Sequence, residues 1–239
     1  MQEPDAWKQA DEFFKQAIQV RSVSVEEARE FLSKGVTLSQ ASGYEAGIAQ
    51  GFTVEGFIFE TAGNFQEALL AFQTSYDLYA ACPPPYDRLT QKTATQLAKI
   101  YANLGDYAKG LNYLYDELRK AEALADISSM GNISNSVSII YQRMGNHEQA
   151  GIYARRCLEF SRQLNDDRLT GISQINMGNV FGQTKDWDSA ITHWEVALSV
   201  FEKMEDRELV ASTQGNLGIA YKNIGQFEIA EKMLLDCLA

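Results

Sequence analysis

The chain has 239 residues, of which 45% are hydrophobic and 22% are charged, and its formal net charge at pH 7 is -11. Because 32 acidic residues oppose 21 Lys and Arg and no basic run interrupts them, we expect no binding to nucleic acid. No apolar run approaches the length of a membrane span, so we expect no membrane insertion. With three cysteines and no secretory segment at the N-terminus, a cytoplasmic location is expected.

The predicted helices follow one pattern that recurs along the chain. A small residue, called here the marker, opens a helix five times, with one spacing of 42 residues and three of 40: Ala68, Gly110, Ala150, Ala190 and Ala230. Ala28 lies 40 residues before the first of these markers. Self-similarity at a fixed period of this length predicts stacked helix pairs.

Each repeat contains a turn between two predicted helices. In one copy, helical periodicity runs to Met144, Gly145 can take the left-handed conformation, and a new helix follows Asn146. Three other copies keep this glycine, but Lys185 replaces it in one, and that turn is predicted to close at a steric cost.

Small residues also recur twelve positions before each marker, in the first helix of a pair: Gly56, Ala98, Ser138, Gly178 and Gly218. A small side chain lets two helix backbones approach, so these positions are predicted to be helix crossings.

The pattern resembles the tetratricopeptide repeat in its forty-residue form. The matching elements, besides the small residues, are an aromatic residue three positions after the crossing and a bulky residue four after the marker: Phe59, Tyr101, Tyr141, Phe181 and Tyr221, then Phe72, Leu114, Trp194 and Leu234. The resemblance implies an all-α fold, a right-handed α-solenoid of about six antiparallel helix pairs. The sequence departs from the pattern at Ala154, at Gly110 and at Glu55, where other copies are apolar.

We expect one continuous solenoid. Residues 1–43 form a degenerate N-terminal repeat, and the remaining repeats are predicted at 44–82, 87–125, 127–165, 167–205 and 207–239. Pro83, Pro84 and Pro85 stiffen one connection, and acidic residues at 126, 167 and 206 are predicted to cap helices.

The last predicted helix carries apolar residues on a face that earlier repeats cover with the next unit: Ile229, Leu234 and Leu238. Two interpretations remain open. Either a further C-terminal domain follows in a longer protein, or this face forms an oligomer interface, giving a homodimer.

The sequence offers no catalytic constellation, so we do not expect an enzyme. His147 and His193 have no ligand partners at zinc-binding spacing, so no metal or cofactor is predicted. No nucleophile elbow or phosphate loop is present. Cys157 and Cys237 are interpreted as small hydrophobic residues facing the packed side, rather than as a redox pair.

The candidate binding residues lie on first-helix positions turned away from the second helices: Lys92, Gln96, Lys99, Asn135, Ser136, Arg143, Asn176, Asn179, Asn216, Lys222 and Asn223. Amides supply the donors and acceptors that an extended peptide backbone requires. The cations favour an acidic segment or a free C-terminal carboxylate. The resemblance implies the same role, because tetratricopeptide grooves use such asparagines. The alternative is a solvated helix surface without a ligand.

The predicted function is a protein- or peptide-binding scaffold acting through a concave groove. The resemblance to bacterial regulators implies the N-terminal sensory or interaction module of a larger cytoplasmic signalling protein. Two alternatives are an oligomerisation module and a receptor for a small signalling peptide or ligand that controls an attached effector such as a diguanylate cyclase. A closed pocket for a small ligand could be lined by Phe57, Ile139, Ile172, Ile175 and Ile219.

Glu55 also has two interpretations. Its carboxylate could anchor a cationic ligand at a packing position. Alternatively, the helix rotates slightly beside the weak terminal repeat, which is favoured because buried acids without partners are rare.

Overall fold

A computed structural model describes residues 3–82 and 87–237. In these ranges the chain forms twelve α-helices and no strand: α1 Glu3–Val20, α2 Val25–Ala41, α3 Glu45–Thr61, α4 Phe65–Ala81, α5 Asp87–Asn103, α6 Tyr107–Ala123, α7 Ile127–Arg143, α8 His147–Leu164, α9 Asp167–Gln183, α10 Trp187–Lys203, α11 Arg207–Asn223 and α12 Phe227–Asp236. The all-α helical-repeat prediction is confirmed. Pro83, Pro84, Pro85 and Leu238 lie outside the described residues.

The helices form two compact units, residues 1–114 and 115–239, which divide within α6. In unit 1, α1 packs on α2 and α3 on α4, while α2 contacts α3 and α4 contacts α5. In unit 2, each helix from α7 to α12 contacts the next. First helices also touch directly, α1 against α3 and α7 against α9, so neighbouring repeats share an interface on that side.

Helix pairs cross where the predicted small residue meets the predicted bulky one. A Cβ placed on Gly178 would lie 2.5 Å from Nε1 of Trp194, and one on Gly218 would lie 2.7 Å from Leu234. A Cβ on Gly56 would likewise lie 2.7 Å from the ring of Phe72. These distances are shorter than carbon packing allows, so a larger residue at these three crossings would force the facing side chain to move.

The first pair inverts this arrangement. Its bulky residue, Phe14, lies on the first helix and is fully buried, and the glycine facing it, Gly35, lies on the second helix. A Cβ on Gly35 would lie 2.6 Å from the Phe14 ring. The pair is therefore packed as closely as the others, although its sequence matches the repeat poorly.

The turns adopt the predicted left-handed conformation. Gly145 has φ +72°, and Lys185 takes φ +63° where its copy lacks the glycine. Each of these residues precedes a helix N-cap, and Asn146 and Asp186 accept backbone N–H bonds there. Lys185 is therefore held in the left-handed region, where its Cβ causes the predicted steric cost.

Helix capping by acidic side chains was predicted correctly at two of three joints. Asp126 and Asp206 accept hydrogen bonds from the backbone N–H groups of Ser129 and Leu209. The prediction for Asp167 was wrong by one residue, because Asp166 caps α9 and Asp167 is its first helical residue. Two consecutive aspartates leave this boundary ambiguous in the sequence.

The two cysteines that the sequence analysis interpreted as small hydrophobic residues differ in burial. Cys157 is fully buried, and burial raises the pKa of its thiol to about 11, so it packs as a small hydrophobic residue. Cys237 is half-buried and free.

None of the described helices combines the length and the apolar character that a membrane span needs.

The crossing geometry predicts opposite outcomes for two glycine substitutions. Gly178→Ala places a methyl group against Trp194 and should lower the free energy of unfolding by about 1–3 kcal/mol. Gly151→Ala is the matched control, because a Cβ at this buried helical position meets no atom closer than 3.7 Å. It should raise stability by roughly 0.5–1 kcal/mol through reduced backbone freedom in the unfolded chain. Urea unfolding of both variants tests this, and equal effects would contradict the crossing model.

Candidate functional site

The most distinctive polar positions lie fourteen residues before each marker. In unit 2 this position gives Ser136 on α7, Asn176 on α9 and Asn216 on α11, called here the amide row. The two earliest copies of the same position, Phe14 and Val54, are fully buried and apolar. The amide row therefore occupies a partly interior position, deeper than the solvent-facing surface that the sequence suggested.

The central member of the amide row is tied to the neighbouring first helix. Asn176 is only 5% exposed, and its Nδ2 donates a hydrogen bond to Oδ1 of Asn135 on α7. This bond uses one of the two donors of Asn176 and one acceptor site of Asn135. Both side chains are thereby held in a fixed orientation while each amide retains further hydrogen-bonding capacity.

The other members of the amide row are more accessible. Asn216 is half-buried, and among the described residues no hydrogen bond reaches its side chain. Ser136 is half-buried and donates to the backbone oxygen of Asn132, one helical turn earlier. The side chain of Asn216 is thus available for a hydrogen bond, beside the hydrogen-bonded pair of Asn135 and Asn176.

Two further predicted asparagines already have partners within the protein. The Oδ1 atom of Asn179 accepts a bond of 3.2 Å from Nε1 of Trp194, on the second helix of the same pair. Asn223 is exposed and donates to the backbone oxygen of Ile219 at 2.8 Å. Both bonds fit roles in holding local structure.

The predicted cations differ in how strongly their charge is offset. In unit 1, Nζ of Lys99 lies 2.8 Å from the carboxylate of Glu60, which is 16% exposed. Lys92 is exposed and Gln96 is half-buried on the same helix, α5. In unit 2, Arg143 on α7 and Lys222 on α11 are both exposed. Exposed cations are therefore present on both units, and the charge of Lys99 is offset by Glu60.

The apolar residues predicted to line a closed pocket lie in different settings. Ile139 and Ile219 are 38% and 52% exposed at equivalent positions of α7 and α11. Ile175 packs against the core that contains Trp194. In unit 1, the Phe57 ring stacks edge-on against Phe72, with 5.3 Å between centroids. Ile139 and Ile219 are accordingly the exposed residues of this predicted set in unit 2.

A set of tyrosine bonds was not predicted. The hydroxyl groups of Tyr115 and Tyr141 lie 2.7 Å apart, and the hydroxyl of Tyr221 donates to Glu195 at the same distance. Each bond joins a first helix to the second helix that precedes it, and the two bonded residues are 26 positions apart in both cases. Burial and, to a smaller extent, the hydrogen bond to Glu195 raise the pKa of Tyr221 to about 12. A polar residue recurring five positions after the marker is the signal that could have revealed them.

His193, on α10, contacts two side chains of α9. Its Nδ1 lies 2.6 Å from Oε1 of Gln174, and its ring stacks on Phe181. Burial lowers the pKa of the imidazole. Among the described residues, no three His, Cys, Asp or Glu side chains meet in an arrangement that could hold a metal ion.

The predicted interface on α12 is partly exposed. Ile229 is 41% and Leu234 is 39% exposed, and Leu234 also packs over Gly218. The sequence missed two stronger contributors, Phe227 and Leu235, which are 67% and 60% exposed. Leu238, the third predicted residue, lies outside the described residues.

Comparison with known proteins supports one family. A sequence model of the tetratricopeptide repeat matches residues 129–203 and 169–239. Tetratricopeptide repeat protein 29 of Trypanosoma brucei brucei is 22% identical over 165 residues, which are 69% of this chain and 34% of that protein. The chain thus spans about a third of that relative's length.

Solved structures share the fold. A Rap protein complexed with competence and sporulation factor matches with a TM-score of 0.76 and 15% identity, over 98% of this chain and 64% of that one. NprR in complex with its cognate peptide NprX matches with a TM-score of 0.71 and 12% identity, over 99% and 67%. The family model, together with the helix pairs and the crossing glycines, supports a tetratricopeptide repeat assignment for the chain.

Proposed function

We propose that unit 2 binds an extended peptide segment of a partner protein on the first-helix face, which comprises the outward surfaces of α7, α9 and α11. One observation carries the proposal. Asn176 and Asn216 of the amide row occupy a position that is apolar and buried at Phe14 and Val54 in the earlier copies. Since buried amides cost free energy unless they are hydrogen-bonded, Asn176 is paired with Asn135, while the half-buried Asn216 side chain is open to a bound partner.

The chemistry of the face fits a peptide backbone. The fixed Asn135 and Asn176 pair and the open Asn216 side chain present donors and acceptors on neighbouring first helices. A peptide in extended conformation exposes an N–H and a carbonyl at every residue and so can pair with them. The exposed Ile139 and Ile219 add apolar contacts for its side chains.

Charge narrows the class of partner. Arg143 and Lys222 place cations on the first-helix face of a chain whose net charge is -11. These cations favour an acidic peptide or one that ends in a free carboxylate within reach of Lys222 or Arg143. The proposal includes a role as the interaction module of a larger signalling protein. The peptide complex of NprR, which shares the fold, supports such a role.

Peptide binding can be tested without a known partner. Peptides selected from a displayed random library should include acidic sequences, and synthetic copies can be titrated by fluorescence anisotropy. Asn216→Ala should weaken binding by about tenfold, because it removes an amide that has no partner within the described chain. Its stability should change by less than about 0.5 kcal/mol. Asn176→Ala is less informative, because it also breaks the bond to Asn135.

Charge reversal provides the matched control. Lys222→Glu should reduce the affinity of an acidic peptide by at least about tenfold, and the loss should shrink at high salt. Lys232→Glu, an equal charge change at an exposed position on α12, should leave it unchanged. Equal binding by Lys222→Glu and the unaltered chain, or no selected peptide at all, would refute the proposal.

A second function is favoured by the exposed apolar residues of α12. Phe227 and Leu235 are more than half exposed on a helix that contacts α11, and a second copy of the chain could cover them in a symmetric dimer. Such an interface would make the chain an oligomerisation module. It is compatible with peptide binding, because the first-helix face is on other helices.

The dimer is tested by light scattering coupled to gel filtration. Leu235→Glu should convert a dimer into a monomer without loss of helix content, because Leu235 is largely exposed in the single chain. Leu70→Glu is the control, since Leu70 is an equally exposed leucine on α4 of unit 1. A monomer at every concentration of the unaltered chain would exclude this function.

A further inference from the structure

Unit 1 contains a cavity of about 330 Å³ between α2 and α3. Its size falls at the small end of the range for ligand sites, about 300–1,000 Å³. One face of each helix lines it: Arg29, Leu32, Ser33, Val36 and Gln40 from α2, and Ile48, Gly51, Phe52 and Glu55 from α3. The cavity is separate from the first-helix face proposed above for unit 2.

The cavity lies where the repeat at 44–82 departs from the later ones. At the position of Glu55 the later copies carry Leu97, Val137, Met177 and Leu217, all buried in the core. Glu55 is only half-buried, and it is one of the residues that line the cavity. This position fits the interpretation in which its carboxylate anchors a cationic ligand.

The Glu55 carboxylate has no direct partner. Within residues 3–82 and 87–237, neither a hydrogen bond nor an ion pair reaches it. Burial raises its pKa, and the nearby Arg29 guanidinium, acting through space, opposes that shift. A carboxylate beside apolar side chains loses hydration, and a bound cation would restore favourable interactions.

The rest of the wall defines the ligand. Leu32, Val36, Ile48 and Phe52 offer an apolar surface, and the exposed Arg29 supplies a positive charge beside Glu55. A purely cationic ligand would be repelled by Arg29, and a purely anionic ligand by Glu55. A molecule with both charges and an apolar body satisfies all three features.

We propose that this cavity binds a free α-amino acid with an apolar side chain. Its ammonium group pairs with Glu55, its carboxylate with Arg29, and its side chain packs against Leu32, Val36 and Phe52. The ligand is held by charge complementarity and apolar burial, and no chemical step is involved.

Isothermal titration calorimetry with leucine, methionine and phenylalanine tests this proposal. At least one should bind with a dissociation constant below about 1 mM. N-acetyl-leucine lacks the ammonium group and leucinamide lacks the carboxylate, so each should bind at least about tenfold more weakly than leucine.

Variants of the lining residues identify the contacts. Glu55→Gln should weaken leucine binding by at least about tenfold. The control Glu30→Gln, at an exposed position of α2 that does not line the cavity, should not. Arg29→Gln should weaken binding of leucine but not of leucinamide. Ser33→Trp keeps both charges and should block binding by filling the cavity, which tests the site even if Glu55→Gln folds poorly.

Three results would overturn the proposal. These are no heat with any of the three amino acids at about 10 mM, equal leucine binding by Glu55→Gln or Ser33→Trp, and N-acetyl-leucine binding as tightly as leucine. A peptide with N-terminal leucine that binds more tightly than leucine would also overturn it, by assigning the cavity to a chain terminus. Loss of peptide binding at unit 2 leaves this test unaffected, because the variants lie in unit 1.

Discussion

The close crossing of the two helices in each pair is the constraint on which the rest of this protein depends. At Gly178 and Gly218 a bulky side chain of the second helix packs directly on a glycine of the first helix. Trp194, held over Gly178, then donates to Asn179 from the same position. Because the crossing fixes how each helix is rotated about its axis, it also decides which residues are buried in the pair and which reach the neighbouring repeat.

The same constraint can be met in a different way. In the first pair, Phe14 and Gly35 exchange the roles of bulky and small residue between the two helices. The sequence predicted that pair only through Ala28, since a pattern search follows one arrangement of large and small residues. Packing requires only that volumes be complementary, which explains why a weak match to the repeat still forms a tight pair.

Features that depend on neighbouring residues were predicted well from the sequence. The left-handed glycine turns, the strained Lys185 and the crossing glycines all follow from short spacings. The Asn135–Asn176 bond and the Lys99–Glu60 ion pair were not predicted, because each joins first helices of different repeats. Their geometry depends on how far one repeat is rotated relative to the next, which no single spacing reveals. The sequence also overstated the exposure of the amide row for this reason.

The candidate sites are places where the repeat pattern is broken. Asn176 is a buried amide at a position that is apolar in the two earliest copies, and Glu55 lies beside a cavity at a position that is apolar in the later copies. Each change gives up apolar burial and introduces a polar group that needs a partner. The regular residues build the helix pairs, so specificity for a partner is expected to lie in these departures. The fold therefore follows from the repeated residues, and the candidate sites lie at the residues between them.

The central claim is that the interior amides of unit 2 contact a bound peptide. Side-chain amide signals in NMR spectra of the isotope-labelled chain, recorded with and without the tightest selected peptide, test it directly. The account predicts shifts for Asn135, Asn176 and Asn216, while Asn146 and Asn165, which lie in turns at the ends of α8, stay unchanged. Shifts confined to the second helices or to α12, with these three amides unaffected, would contradict it.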